Sequence, residues 1–494
     1  MAANIFTGAT NSLFSVATNW SLGTVPTSTD ANTATFDATS PNCTVNVSSN
    51  CQSLDFTGYT NVLTMTFILT VSNGTVTFQA NQSSRIAGTQ SLILNGNCSI
   101  IANGATWNNG ISNLTVSGIK TLTGTLTIAG LYSPNAAGTV FNGGTLVLNG
   151  GLNANQTQSG TTAIILGGGT WSSGAFQSNP ITIAGNVTVS GTVGIQNTTI
   201  TYSSGTVTTT GSTLVAIACT LNTSGVTWAT VTCGSSNTNI LTSDLNCDTF
   251  LTAAGNANVW NGAFNINCNN LTGGSAGVMS GTATIRMIGT GTWSMTTGVL
   301  ANNLIFDSTG TITVSGAVTY QTGTITYTTG TVITTGSTLL IIASATLATN
   351  GIIWNNITLG TTLTLTLTTA LNISGTFIPC TGGVTVTINT STVNISGNLS
   401  VQGTGGIVTG TSLFNINGTG TWSHTSTTIL RNSVNIDTVG TLTISGTVYY
   451  NTGTLTYIAG DVVTTGSTLS INVSTTLNLG TMPTALNNII TAGT

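Results

Sequence analysis

Apolar and polar residues alternate along this chain in short runs. Thr441-Leu442-Thr443-Ile444-Ser445 and Thr362-Leu363-Thr364-Leu365-Thr366-Leu367-Thr368 place Leu or Ile on one side and Thr or Ser on the other, which is the period of a half-buried strand. Gly, Asn-Gly or Ser-Gly closes the runs and supplies the positive φ that tight corners need. There are six Pro and no capped apolar stripe of helical period, so the pattern leaves little room for helices. It predicts an all-β chain that turns every several residues.

The runs belong to long internal repeats. TTGSTL occurs three times at nearly even spacing, at Thr209 to Leu214, Thr334 to Leu339 and Thr464 to Leu469. A tyrosine precedes each copy in the same register, in ITYSSG (Tyr202), ITYTTG (Tyr327) and LTYIAG (Tyr457). Tryptophan marks the same period twice. GTWS falls at Trp171, Trp293 and Trp422, while GATW, GVTW and GIIW fall at Trp107, Trp228 and Trp354. Related lines (NLTVSG after Trp107, GNVTVSG after Trp171, GTITVSG after Trp293, GTLTISG after Trp422) point to an older unit of about 60 residues inside the longer one. Where a further Trp is due, the chain has Pro483, which cannot donate a ladder hydrogen bond and reads as a modified end.

Small insertions between copies and strands that run on across repeat boundaries favour a coil of stacked turns over separate modules. In a parallel β-solenoid, or β-helix, each turn bonds to the turns on either side. Its inner row is then apolar, its outer row is free to be Thr and Ser, and no charge is required. The expectation is therefore a parallel β-solenoid of three long repeats behind an N-terminal capping segment. The expected divisions are residues 1–106 (cap and first turns), 107–227, 228–353 and 354–480 (repeats), and 481–494 (C-terminal cap or tail). At about 20 to 25 residues and ~4.8 Å per turn, some 20 turns would stack over roughly 100 Å. A membrane β-barrel is the rival, but the aromatic girdles expected of one are missing.

Charge narrows the function. Four Lys or Arg (Arg85, Lys120, Arg286, Arg431) and eight Asp make 2% of 494 residues, and there is no Glu. So few cations argue against nucleic-acid binding, and so few acids and bases argue against an enzyme. Thr makes up about a fifth of the chain, far above ordinary usage, and Gly is abundant too. With 39% hydrophobic residues, net charge −4 and mean hydropathy +0.37, the composition is not that of a disordered chain. No apolar stretch approaches the length of a membrane-spanning helix, and MAANIFTGATNS lacks the basic start and apolar core of a Sec signal peptide. The eight cysteines (43, 51, 98, 219, 233, 247, 268 and 380) form no CxxC pair, and one His gives no ordinary zinc set. They read as small buried residues, with Cys43 and Cys51, or Cys247 and Cys268, able to meet on neighbouring turns. No cofactor and no metal is expected.

Asn-Trp-x-x-Gly-x-Val-Pro at Asn19 to Pro26, followed by Asp30 and Phe36-Asp37, resembles the opening of large repetitive β-helical surface proteins of bacteria, with similar proteins in viruses and environmental sequences. The GTW, NLTVSG and GTLTISG lines over about residues 107–480 are similar to the body of those proteins. The resemblance implies a right-handed parallel β-helix on a cell or particle surface, serving as a fibre, adhesin or coat. No active residue is carried over.

Each candidate for chemistry has a structural counterpart. Asp30 with Asp37 and Asp244 with Asp248 are the closest acidic pairs, read first as turn residues and second as a calcium or catalytic pair. His424 and Asp437 make a triad only on paper, because serine is everywhere. The repeated Trp would stack on sugar rings if exposed, but are read first as filling the coil at a fixed register. The sequons at Asn186, Asn372, Asn394 and Asn472 arise readily in so Asn- and Thr-rich a chain. Stacked Thr rows could order water and bind ice, yet Thr occurs at irregular offsets and its β-propensity explains it.

The leading expectation is a structural protein: a neutral rod that packs with copies of itself into an extracellular or virion-associated fibre, filament or coat. A glycan-binding adhesin is the alternative. An ice-binding protein and a polysaccharide-degrading enzyme are more remote.

Overall fold

The computed structural model describes residues 2–80, 86–107, 114–116 (backbone only), 118–134, 139–234, 237–252, 257–274, 277–360, 362–480, 482–483 and 486–491. Arg85, part of the NLTVSG line after Trp107 and much of the 481–494 tail lie outside these residues. The chain forms a parallel β-solenoid of about 20 turns. It divides into two compact units, Met1–Gly234 with Thr238–Asn246, and Ser235–Asn237 with Cys247–Thr494. Turns differ in length: the step from Leu365 to its ladder partner Ile388 is as long as expected, whereas that from Ile164 to Ile181 is shorter. No helix among the described residues is long and apolar enough to cross a membrane.

A turn in the second unit carries three short strands and hence three faces. Leu363–Leu367, Leu371–Ile373 and Thr376–Ile378 are followed by Thr385–Thr390, Val393–Ile395 and Asn398–Val401, each pairing with its predecessor. Alternation decides which side is buried. Leu363, Leu365 and Leu367 point inward, while Thr364 and Thr366 point out. Burying such an apolar side chain contributes about 1.5–3 kcal/mol. The longest strands, Leu304–Ser315 and Val434–Ser445, cover two faces, and their register shifts at Asp307 and Asp437, where the chain bends.

The TTGSTL copies build one corner three times. The Ser212, Ser337 and Ser467 N–H groups each donate to the carbonyl of the Thr three residues earlier at 2.9 Å. Their hydroxyls donate to the same oxygens at 2.6, 2.6 and 2.7 Å. Between them Gly211, Gly336 and Gly466 have φ of 71°, 74° and 75°, the region a tight turn assigns to glycine.

In the second unit the long repeat does not return to the same face. From Trp293 the ladder steps to Val314, then to Thr334, whose hydroxyl meets the Ile353 carbonyl beside Trp354, then to Ile373, Ile395 and Ile416. Trp422 lies on the next face, paired with Leu399 and Ile444. One long repeat thus spans six turns and one further face, so its features recur on a neighbouring side.

Near the N-terminus the pairing differs. Phe6 and Trp20 form an antiparallel bridge, and Ser21 N–H donates to the Ile5 carbonyl at 2.8 Å. Here the loop through Trp20 and Ser21 pairs with the strand Ala3–Ile5 and with Phe6. Asn19 holds that loop: its Oδ1 accepts from Thr10 and Asn11 N–H at 2.8 and 3.0 Å, and its Nδ2 donates to Asn11 Oδ1 and Leu13 O at 2.7 and 2.8 Å. Trp20 packs edge-on to Phe6, Phe14 and Phe36, with ring centroids 5.2, 4.9 and 5.7 Å away.

Candidate functional site

The repeat aromatics fall into two sets. Trp107, Trp171, Trp228, Trp293, Trp354 and Trp422 occupy inward strand positions and are fully buried. Trp171 meets Trp228 edge-on at 6.5 Å, and Trp293, Phe306 and Trp354 follow one another at 5.9 and 6.4 Å. Trp260, which the repeat pattern does not mark, is buried likewise beside Phe250. None of these indoles offers a face to a sugar.

Tyr202, Tyr327 and Tyr457 are half-buried, and each closes a small loop by donating its hydroxyl to the carbonyl of Gly205, Gly330 or Gly460 at 2.7, 2.8 and 2.8 Å. The rings of Tyr202 and Tyr327 also lie over Gly225 and Gly351 of the following turn, where an added Cβ would come within 1.9 and 1.8 Å of ring carbon. At the corresponding Gly480 a Cβ would meet nothing.

The acidic residues are engaged locally. Asp37 Oδ1 accepts from Thr39 N–H and hydroxyl at 2.8 and 2.7 Å, bonds that hold its carboxyl below the usual range, the Thr39 hydroxyl foremost. Asp55 repeats the motif with Thr57, and Asp30 accepts from Thr27 N–H at 2.9 Å. Asp248 accepts from Asn269 Nδ2 at 2.9 Å. It belongs to the second unit and Asp244 to the first. The described residues contain no group of three or more His, Cys, Asp or Glu placed to hold a metal ion.

His424 bonds to other partners than Asp437. Its Nε2 accepts from Trp422 Nε1 at 3.2 Å, and its Nδ1 lies 3.0 Å from the Thr428 carbonyl and 3.3 Å from the Tyr449 N–H. Burial pushes its pKa down to about 4, against a smaller upward pull from the Thr428 carbonyl. In the equivalent place the earlier repeats have Met295 and Ser173. All eight cysteines are free, buried thiols, so neither Cys43 with Cys51 nor Cys247 with Cys268 is joined. Burial pushes the Cys268 thiol up to about 12, which makes it a poor nucleophile.

Lys120 lies inward, fully buried, with Nζ donating to the Gly96 carbonyl, while its neighbour Ile119 is exposed. Burial lowers its pKa, against a smaller upward contribution from Cys98. Alternation over Ile119–Thr123 carries the lysine to the inside with Leu122.

The outer rows of the second unit differ from face to face. On one, Asn372, Asn394, Asn415 and Asn435 stand in register on four successive turns. Asn394 Nδ2 donates to Asn372 Oδ1 at 2.9 Å and Asn415 Nδ2 to Asn394 Oδ1 at 3.3 Å. Two of the sequon asparagines are thus links in a side-chain ladder. On another face, Thr322/Thr324, Ser344/Thr346, Thr364/Thr366, Thr387/Asn389 and Thr409/Thr411 follow turn upon turn. The third alternates Thr with Leu340, Asn356 and Ile378. The Thr offsets that look irregular in sequence come into register on a single face.

Compared with known protein families, curated proteins and solved structures, the chain matches none.

Proposed function

We propose that this chain is a structural protein which associates with copies of itself into a fibre, filament or coat on the outside of a cell or particle. The observation that carries the reading is an outer surface almost without charge. Arg286 with Asp307 is the one ion pair among the described residues, and the outer rows of the second unit are chiefly Thr, Ser and Asn. Such a surface lacks the repulsion that keeps proteins apart. Ile333 and Ile353, 43% and 61% exposed, follow one another above the asparagine ladder and add an apolar strip. A repeat that advances one face per copy offers the same corner in more than one lateral direction. The N-terminal aromatic segment serves as the cap that keeps the first turn from recruiting a strand. A glycan-binding role would have to do without the Trp platforms, which are interior.

Sedimentation velocity over a range of protein and salt concentrations tests this. Association that grows with protein concentration and changes little with salt is expected. A discrete monomer throughout would refute it.

A further inference from the structure

We propose that the threonine face of the second unit is an ice-binding surface. Five consecutive turns present a T-x-T pair or its Ser or Asn variant, from Thr322/Thr324 to Thr409/Thr411; Thr324, Thr346, Thr366 and Asn389 stand in strand register, as do Thr364, Thr387 and Thr409, while Thr322, Ser344 and Thr411 sit at the strand ends. Parallel strands stack at about 4.8 Å and residues two apart along a strand are about 6.6 Å apart, so methyls and hydroxyls form a two-dimensional lattice. That is the recognition ice demands, since ice offers a repeating plane of oxygens and no single group to grip.

The inward partners Ala345, Leu365 and Ile388 are packed in the core, which fixes the strands that carry the array. Stiff β-branched side chains then hold their oxygens with little rotamer freedom to lose. The Thr324, Thr346 and Thr366 hydroxyls make no hydrogen bond to the described residues, leaving them to water. Between the columns a shallow trough of about 320 Å³, lined by Thr322, Thr324, Ser344, Thr346, Thr364 and Thr366, follows the first three of these turns. The trough can hold a file of ordered water between the methyls. Neither neighbouring face repeats this: one carries the asparagine ladder, whose amides bond to each other, and the other is interrupted by Leu340 and Ile378.

The test is ice-crystal shaping and thermal hysteresis of the whole chain, with Thr346→Tyr in the middle of the array and Thr358→Tyr on the neighbouring face as control. Both positions are surface Thr in strands, and a thermal melt establishes that each variant folds. Should T346Y melt early, Thr366→Lys replaces it. The wild type and T358Y are expected to facet ice and hold growth below the melting point, and the array variant to lose most of that effect. Unshaped ice with the wild type would overturn the proposal, as would equal activity in the array and control variants. Self-association is read separately by sedimentation, so failure here leaves the structural reading standing.

Discussion

The segment around Trp20 and the turns from Leu363 to Ser445 meet the same requirement by different means. In the later turns the strand backbone pairs one turn away, and side chains of one kind stack in columns. Around Trp20 the partners lie within the same loop. There the backbone is satisfied by Asn19, by an antiparallel bridge and by the Phe14 carbonyl, which takes the Trp20 indole N–H at 2.8 Å. Where neighbours are interchangeable, one side chain matters little. Where a single residue closes the ladder, it matters a great deal.

The largest expected effect is therefore at the N-terminal segment. Trp20→Ala should cost about 3–5 kcal/mol of local stability, and Asn19→Ala, which strips the Thr10 and Asn11 N–H groups of their acceptor, about 1–3 kcal/mol. Chemical denaturation followed by hydrogen exchange of residues 3–60 checks both, and a loss no larger than that of Asn394→Ala in the ladder would break the contrast.

Acid comes next, and it strikes the second region at His424, where the preceding repeat has Met295. His424 is depressed from 6.5 to about 4 in the folded chain, so its contribution is present above pH 6.5 and is lost as pH falls toward 4. At about 1.4 kcal/mol per pKa unit the whole loss is on the order of 3 kcal/mol. His424→Met, the residue of the preceding repeat, should flatten that slope in denaturation measured from pH 7 to pH 4.

Gly351→Ala drives a Cβ into the Tyr327 ring, and overpacking of this kind costs about 1–3 kcal/mol. Gly211, Gly336 and Gly466 have open space at Cβ but positive φ, so alanine at any of the three should cost roughly 1–2 kcal/mol. Matching melting shifts for G211A, G336A and G466A would confirm that the three corners are equivalent, and unequal shifts would deny it. Smallest of all, Arg286→Met breaks an ion pair whose arginine side chain is 40% exposed, and the change should stay under about 1 kcal/mol.

The strand texture, the glycine corners and the solenoid were legible in the sequence because period-two alternation and TTGSTL report local geometry directly. The column-by-column register was not. Thr322, Ser344, Thr364, Thr387 and Thr409 recur at unequal steps, because corners vary in length while strands stay in step. N-I-[SND] at such loose spacing marks the asparagine ladder, whereas the threonine face mixes T-x-T with Ser344/Thr346 and Thr387/Asn389. Lys120 reads as a surface cation by type, and only the parity of Ile119–Thr123 places it inside. The role of Asn19 is invisible in sequence, since four hydrogen bonds converge on it from a loop folded back on itself.

Electron microscopy of the purified chain across a concentration series tests the central claim, that a neutral stack of turns associates with itself, most directly. Ordered fibres or sheets that grow with concentration are the expected result. Discrete particles at every concentration would contradict it.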